Sequence, residues 1–290
     1  MMAHKPEKDE VTGAETTGHE WDGIKELNNP LPKWWLHVFF VCCIWAFGYW
    51  VIYPAWPVGD DFTKGVVGHS QRDAVTAEIQ DAKEAQSQYL DKIASLDLEQ
   101  IQADQTLFQF VMAGGKAAFG DNCAGCHGRG GQGGAGFPNL VDDAWIWGGD
   151  LEAIYLTINH GIRNEDEDSR QSEMPAFGRD EILDREQITA VANHVLSLSG
   201  ADHKADLVAK GAEIFEENCA ACHGEQGEGM YAMGAPRLND AIWLYGGREE
   251  DIIEMVQNSR AGNMPAWGER LGDETVKQLA LYVHSLGGGE

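Results

Sequence analysis

The longest apolar stretch of the chain runs from Trp34 to Tyr53, twenty residues without a single Asp, Glu, Lys or Arg. At helical rise such a run matches the hydrocarbon thickness of a bilayer, which predicts one transmembrane helix. Trp34, Trp35, Trp50, Tyr53 and Trp56 gather towards its ends as interfacial aromatics do, and Pro54 and Pro57 stop it. A cleaved signal peptide fits poorly, because more than thirty mostly polar residues precede the run and no small-residue cleavage site follows. His37, near the entry to the span, can reach the interface and takes no ligand role; Cys42 and Cys43 read as packing residues. After a Gly-bearing segment from Gly59 to Gly68 the pattern turns amphipathic. From Ala74 to about Leu98 the chain is rich in Ala, Glu, Gln, Lys and Asp, with apolar positions at Val75, Ile79, Ala82, Leu90 and Ile93. This predicts a spacer helix, followed by a second short helix over roughly Leu98 to Val111.

The remainder repeats itself. Gly115-Lys116-Ala117-Ala118-Phe119 answers Gly211-Ala212-Glu213-Ile214-Phe215, and Asn122-Cys123 answers Asn218-Cys219. Pro138-Asn139-Leu140 corresponds to Pro236-Arg237-Leu238, and Trp147-Gly148-Gly149 to Tyr245-Gly246-Gly247. Met174-Pro175-Ala176-Phe177-Gly178 matches Met264-Pro265-Ala266-Trp267-Gly268, and Ser197-Leu198 matches Ser285-Leu286. This is a duplicated domain.

Each copy carries Cys-x-x-Cys-His: Cys123-Ala124-Gly125-Cys126-His127 and Cys219-Ala220-Ala221-Cys222-His223. Two thiols at this spacing reach one edge of a porphyrin and add across its vinyl groups, and the adjoining imidazole turns under the iron. The small intervening residues leave room for the ring. A zinc site would want four ligands, and neither cysteine pair has a second pair nearby. The motifs therefore predict two covalently bound haem c groups, with His127 and His223 on the iron. A sixth ligand is expected from Met174 and Met264, since a thioether is soft and favours ferrous iron, and the following Pro175 and Pro265 keep each Met in an extended loop. Met230, Met233 and Met112 rank below them. Which haem each Met serves stays open, because duplicated halves have interchangeable Met loops.

At this point the resemblance to class I cytochrome c domains is specific: a helix entering Cys-x-x-Cys-His, a Met-Pro loop and a C-terminal helix. The expected fold is all-α, one N-terminal transmembrane helix followed by two tandem class I cytochrome c domains. The expected boundaries are an N-terminal segment 1–33, a span 34–54, a periplasmic helical linker 55–110, and haem domains 111–200 and 201–290. The link from Gly200 to Ala205 is short, which holds the two sites close.

Charge alters the picture mainly by exclusion. With 21 Lys and Arg against 47 Asp and Glu, the net charge of -26 argues against nucleic acid and favours basic partners. Glu165, Asp166, Glu167, Asp168 and Glu173 lie in an insertion absent from the second repeat, read first as a solvated loop and second as a docking patch. His4, His19, His69, His160 and His203 are dispersed, so no copper centre is expected, and the single span lacks the polar residues of a quinol site or proton channel. His194 stands where the other repeat has Tyr282, which reads as packing.

The N-terminal segment narrows the family. Thr16-Thr17-Gly18-His19-Glu20-Trp21-Asp22-Gly23-Ile24, then Asn28-Asn29-Pro30-Leu31-Pro32-Lys33-Trp34-Trp35, one span and two haem motifs resemble the CcoP/FixP subunit of cbb3-type cytochrome c oxidase across essentially the whole chain. The resemblance implies a dihaem electron-transfer subunit, not an enzyme by itself. It implies a periplasmic or membrane-anchored donor cytochrome c, with the cytochrome bc complex as a candidate source, and as partners a monohaem cytochrome c subunit and the haem-copper catalytic subunit that reduces oxygen. Its haem positions fall on Cys123, Cys126, His127, Met174, Cys219, Cys222, His223 and Met264. Covalent haem c assembly outside the cytoplasm implies periplasmic haem domains on a bacterial inner membrane, with the N-terminus inside, as the basic Lys5, Lys8, Lys25 and Lys33 also suggest. A free-standing anchored dihaem cytochrome or a cytochrome subunit of a periplasmic dehydrogenase shares every haem residue. A haem-based ligand sensor would need an open iron position, against which the two Met-Pro loops argue.

Overall fold

A computed structural model describes residues 6–289; His4 and Lys5 lie outside them. The chain divides into two compact units, 1–85 and 86–290.

In the first unit, strands β1 (Thr16–Trp21) and β2 (Ile24–Leu27) form an antiparallel hairpin closed at Asp22-Gly23. Both turn residues have positive φ, 50° and 83°, as a two-residue hairpin turn requires. Helix α1 (Lys33–Ile52) follows, apolar on every side and with no buried residue, the condition of a helix whose solvent is lipid. It is long and apolar enough to cross a membrane. Its last carbonyls are not left open: Val66 N–H donates to Val51 and Val67 N–H to Ile52. Gly65 makes this return possible, since a Cβ there would sit 2.2 Å from the Ile52 carbonyl oxygen. Between them lies a small ladder of β3 (Pro57–Val58) and β4 (Asp61–Phe62). Helix α2 (Gln71–Ser95) begins in this unit and ends in the next.

The second unit is helical. The stretch expected as one helix from Leu98 to Val111 is broken at Asp104. Helix α3 (Leu98–Ala103) stops there, and the Asp104 carboxylate accepts from Thr106 and Leu107 N–H to start α4 (Gln105–Asn122), satisfying donors a helix start leaves unpaired. Then come α5 (Ala124–His127), α6 (Leu151–His160), α7 (Arg185–Leu198), α8 (Ala205–Asn218), α9 (Ala220–His223), a 3-10 turn at Tyr231–Met233, α10 (Glu249–Asn258), α11 (Gly268–Leu271) and α12 (Asp273–His284).

Their packing does not follow the order of the two sequence repeats. Helix α12, from the second repeat, lies across α4 and α6 of the first; α7, from the first, packs on α8 and α10 of the second. The α4–α12 and α7–α8 crossings are each made close by a glycine. A Cβ on Gly115 of α4 would meet the Gln278 carbonyl oxygen at 2.4 Å and the Tyr282 Cβ at 2.7 Å. A Cβ on Gly211 of α8 would meet the Ala190 carbonyl oxygen at 2.2 Å and the His194 Cβ at 2.8 Å. Beside these contacts Phe119 meets Tyr282 with ring centroids 5.4 Å apart, and Phe215 meets His194 at 5.2 Å. Two cores result. One joins Ile93, Ile101, Val111 and Phe119 to Val276, Leu279 and Leu281; the other joins Ile188, Val191 and Val195 to Ile214, Phe215 and Val256.

The six residues between α7 and α8 supply a physical reason. Short connections make consecutive helices antiparallel neighbours, and Gly200, at φ 73°, turns the chain back on itself. Lys204 N–H donates to the Oδ1 of fully buried Asn193 at 2.8 Å, while Asn193 Nδ2 donates to Glu249 and Lys204 Nζ reaches the same carboxylate. The turn is thereby fastened to α7 and α10.

Candidate metal centres

Each Cys-x-x-Cys-His occupies one helical turn directly after the helix that feeds it. Cys123 N–H donates to Phe119 and His127 N–H to Cys123; Cys219 and His223 repeat both bonds. Gly128 and Gly224, at φ 78° and 81°, end the turns, a conformation that suits glycine. His127 Nδ1 lies 3.0 Å from the Pro138 carbonyl oxygen and His223 Nδ1 lies 2.9 Å from that of Pro236. A carbonyl only accepts, so Nδ1 carries the proton and Nε2 keeps its lone pair for a metal. Burial pulls the His223 pKa below its ordinary value, against the opposing effect of that hydrogen bond.

The first thiol of each motif is disfavoured as an anion. Burial, with a smaller contribution from the neighbouring cysteine, pushes Cys123 and Cys219 up to about 11. Neutral thiols on a one-turn helix, each beside an imidazole with a free Nε2, fit thioether attachment to haem.

Cys123 and Ala124 pack against the core made by α4, α6 and α12, and so does Met264. Cys219 and Ala220 pack against the core of α7, α8 and α10, and so does Met174. The Met-Pro loops have thus travelled with the helices that follow them. Met264 exchanges both backbone hydrogen bonds with Ile162, each 2.9 Å, and Trp267 N–H reaches the Ile158 carbonyl at the end of α6. At the end of α10, Arg179 N–H donates to Gln257 at 2.9 Å. Met230 and Met233 are half-exposed at the 3-10 turn.

The two sites adjoin. Gly136 N–H donates to the Leu244 carbonyl at 2.9 Å. The Trp147 ring covers Gly234, and the Tyr245 ring lies 3.5 Å from where a Gly136 Cβ would sit. A cleft of about 290 Å3 between the segments following the motifs is lined by Phe137, Pro138, Trp145, Pro236 and Trp243.

The acidic insertion is an ordered loop. Asp166 Oδ1 accepts from Asp168 N–H and meets His160 Nδ1 at 3.0 Å, Asn164 Oδ1 accepts from Asp166 N–H, and Ser169 Oγ accepts from Asn164 N–H. Beyond it Arg170 spends its donors on Thr157 and Ala153 of α6, and its guanidinium lies 5.4 Å from the centroid of Trp147.

Comparison with known proteins divides the chain by its sequence repeats. Residues 13–60 match the N-terminal domain of cytochrome oxidase-cbb3, FixP; residues 112–199 match cytochrome c; residues 206–283 match cytochrome c oxidase, cbb3-type, subunit III. A cbb3-type cytochrome c oxidase subunit CcoP from Azospirillum is 54% identical over 291 residues, covering 98% of each chain. The chain belongs to the CcoP/FixP family of cbb3-type cytochrome c oxidase subunits. CcoP of Cereibacter sphaeroides is 49% identical over the full length of both chains, and FixP of Rhizobium meliloti is 52% identical over 97% of each. As a member of that family the chain is an oxidase subunit carrying two covalently bound haem c groups, with other oxidase subunits as partners and α1 as its membrane anchor.

Proposed function

We propose that the chain is the electron entry of its oxidase, receiving electrons from a periplasmic donor cytochrome c and passing them towards the haem-copper core through the monohaem subunit, while oxygen chemistry stays with the catalytic subunit. The haem domains lie in the periplasm and residues 1–33 in the cytoplasm. Haem iron supplies reversible one-electron exchange at each site. Cys123 and Cys126 tether one haem, Cys219 and Cys222 the other, and His127 and His223 give Nε2 to the irons from rings oriented by Pro138 and Pro236. The thioethers are crossed: Met264 serves the haem at His127 and Met174 the haem at His223. The carrying observation is that each Met packs in the core that holds the other repeat's cysteines.

Substitution tests the crossing. In a full-length chain with Cys219→Ser and Cys222→Ser, only the first haem remains, and Met264→His should lower its potential because nitrogen stabilises ferric iron relative to thioether. Met174→His should leave it nearly unchanged. The reverse assignment would defeat the crossing; no shift in either would defeat thioether ligation. For the electron-entry role, a complex whose chain is cut before Gly114 should stop oxidising a soluble cytochrome c yet still consume oxygen with a small artificial donor.

A further inference from the structure

One side chain ties the two Met-Pro loops together. Arg163 Nε donates to the Gly262 carbonyl at 2.8 Å and its Nη1 donates to the Ser172 carbonyl at 3.1 Å. These acceptors hold the same place in their repeats, two residues before Met264 and two residues before Met174. The Arg163 backbone is fixed independently: its N–H donates to Arg170 at 2.9 Å, next to the paired Ile162 and Met264. Its φ of 50° is unusual for a residue with a side chain, a conformation that persists only where surroundings enforce it. The second repeat offers no equivalent, since beyond α10 Arg260 pairs with Glu254 at 3.2 Å and Ala261 follows.

Among the described residues no carboxylate forms a salt bridge with Arg163, in a chain with 47 acidic residues. Burial lowers its pKa, opposed by Tyr245 and Glu173, and the group stays protonated at any working pH. A guanidinium is a rigid planar fork, so two acceptors bound to it are held in a fixed relation that a flexible ammonium does not reproduce.

We propose that Arg163 is a positioning residue shared by both haems, whose fork sets the two thioether loops at once and places one fixed positive charge beside both. This rests on Met174 and Met264 being the axial thioethers. Opening either loop breaks one charge-assisted hydrogen bond, and the cation disfavours the ferric state at both irons, so each thioether is held and both potentials are raised by the same residue.

The test uses the full-length matured chain with both haems, and imidazole as a competitor for ferric iron. Met174→His and Met264→His each leave one thioether site, read from its long-wavelength ferric–thioether charge-transfer band. If neither removes part of that band, the ligand assignment itself is wrong and the shared tie falls with it. With the assignment standing, adding Arg163→Gln should raise imidazole affinity about tenfold at the remaining thioether in each background, equivalent to about 1.4 kcal/mol per loop, and lower both potentials. An effect on one haem alone, or on neither, overturns the proposal. Should Arg163→Gln yield no matured protein, Arg163→Lys serves: it keeps the charge without the fork and should raise imidazole affinity at both sites by a smaller factor. Unchanged affinity at both sites in that variant overturns the shared fork.

Discussion

Leu279 belongs to the second repeat in sequence but to the first haem's core in space. It is completely buried in the cluster that contains Val111, Phe119 and Ile158. Leu279→Ala removes three carbons from a site with no solvent exposure, where loss of burial plus the residual cavity costs about 2–5 kcal/mol. In a unit of this size each kcal/mol moves a melting midpoint by about 2–4 °C, so a loss near ~3 kcal/mol lowers it by roughly 6–12 °C. The assay is the thermal loss of the ferric–thioether band in two full-length chains, one retaining only the Cys123/Cys126 haem and one only the Cys219/Cys222 haem. The first haem should lose its band at the lower temperature in Leu279→Ala, with a fall at least as large as that of the second haem. The reciprocal Ile188→Ala, in the core of α7, α8 and α10, should strike the second haem at least as hard. If Leu279→Ala lowers the second haem's midpoint and leaves the first at its wild-type value, the exchanged packing is wrong.

Lys277→Met should cost about 2–3 kcal/mol and speed amide exchange in the last turn of α2, because Lys277 Nζ donates to the Ile93, Ala94 and Leu96 carbonyls at 3.1–3.3 Å and hydrogen bonds to charged groups are the strong ones. A wild-type exchange rate there would remove the link between α2 and α12. His194 should make the second haem's core acid-sensitive: its Nδ1 is buried without a partner among the described residues, and burial holds its pKa below the ordinary 6.5. The unfolded chain therefore takes up a proton that the folded chain refuses, so stability is full above about pH 6.5 and falls as pH drops from there towards the depressed folded value. His194→Tyr, which installs the residue of the other repeat, should flatten that decline in denaturant titrations near pH 7.5 and 5.5; an equally steep decline would contradict the argument.

Much of this molecule is legible from its sequence because the relevant signals are local. The span is a run without charge, the haem turns are five consecutive residues, and the Met-Pro loops declare themselves by repetition. The hairpin before the span also had a local signal, Asp22-Gly23 between extended residues, overshadowed by its polar surroundings. The break at Asp104 is a single capping carboxylate within a continuous apolar periodicity. The exchange of α7 and α12 is a different kind of fact. Ile188 answers Val276, Val191 answers Leu279 and His194 answers Tyr282, so either helix presents a suitable face to either Gly115 or Gly211. Hydrophobic pattern cannot rank two pairings that bury equivalent residues. The brevity of the α7–α8 connection does, yet its consequence is visible only once both helices are known to be packed. Arg163 was hidden for a related reason: its partners are backbone carbonyls of two loops, which no side-chain motif records.

The exchange also changes what it means to make this protein. Helix α4 waits for α12 across about 150 residues of chain, a long loop closure that no early local contact replaces. Ordinarily the N-terminal domain of a tandem pair folds while the rest is still emerging. Here the first haem's core stays unfinished until Val283 has been made, although its cysteines are present from the moment Cys126 appears. A chain that stops between the motifs therefore carries the first pair of cysteines without the helix that closes their core. Completion of the first centre therefore certifies the arrival of both, whereas the second, built from α7, α8 and α10, needs nothing beyond Asn258.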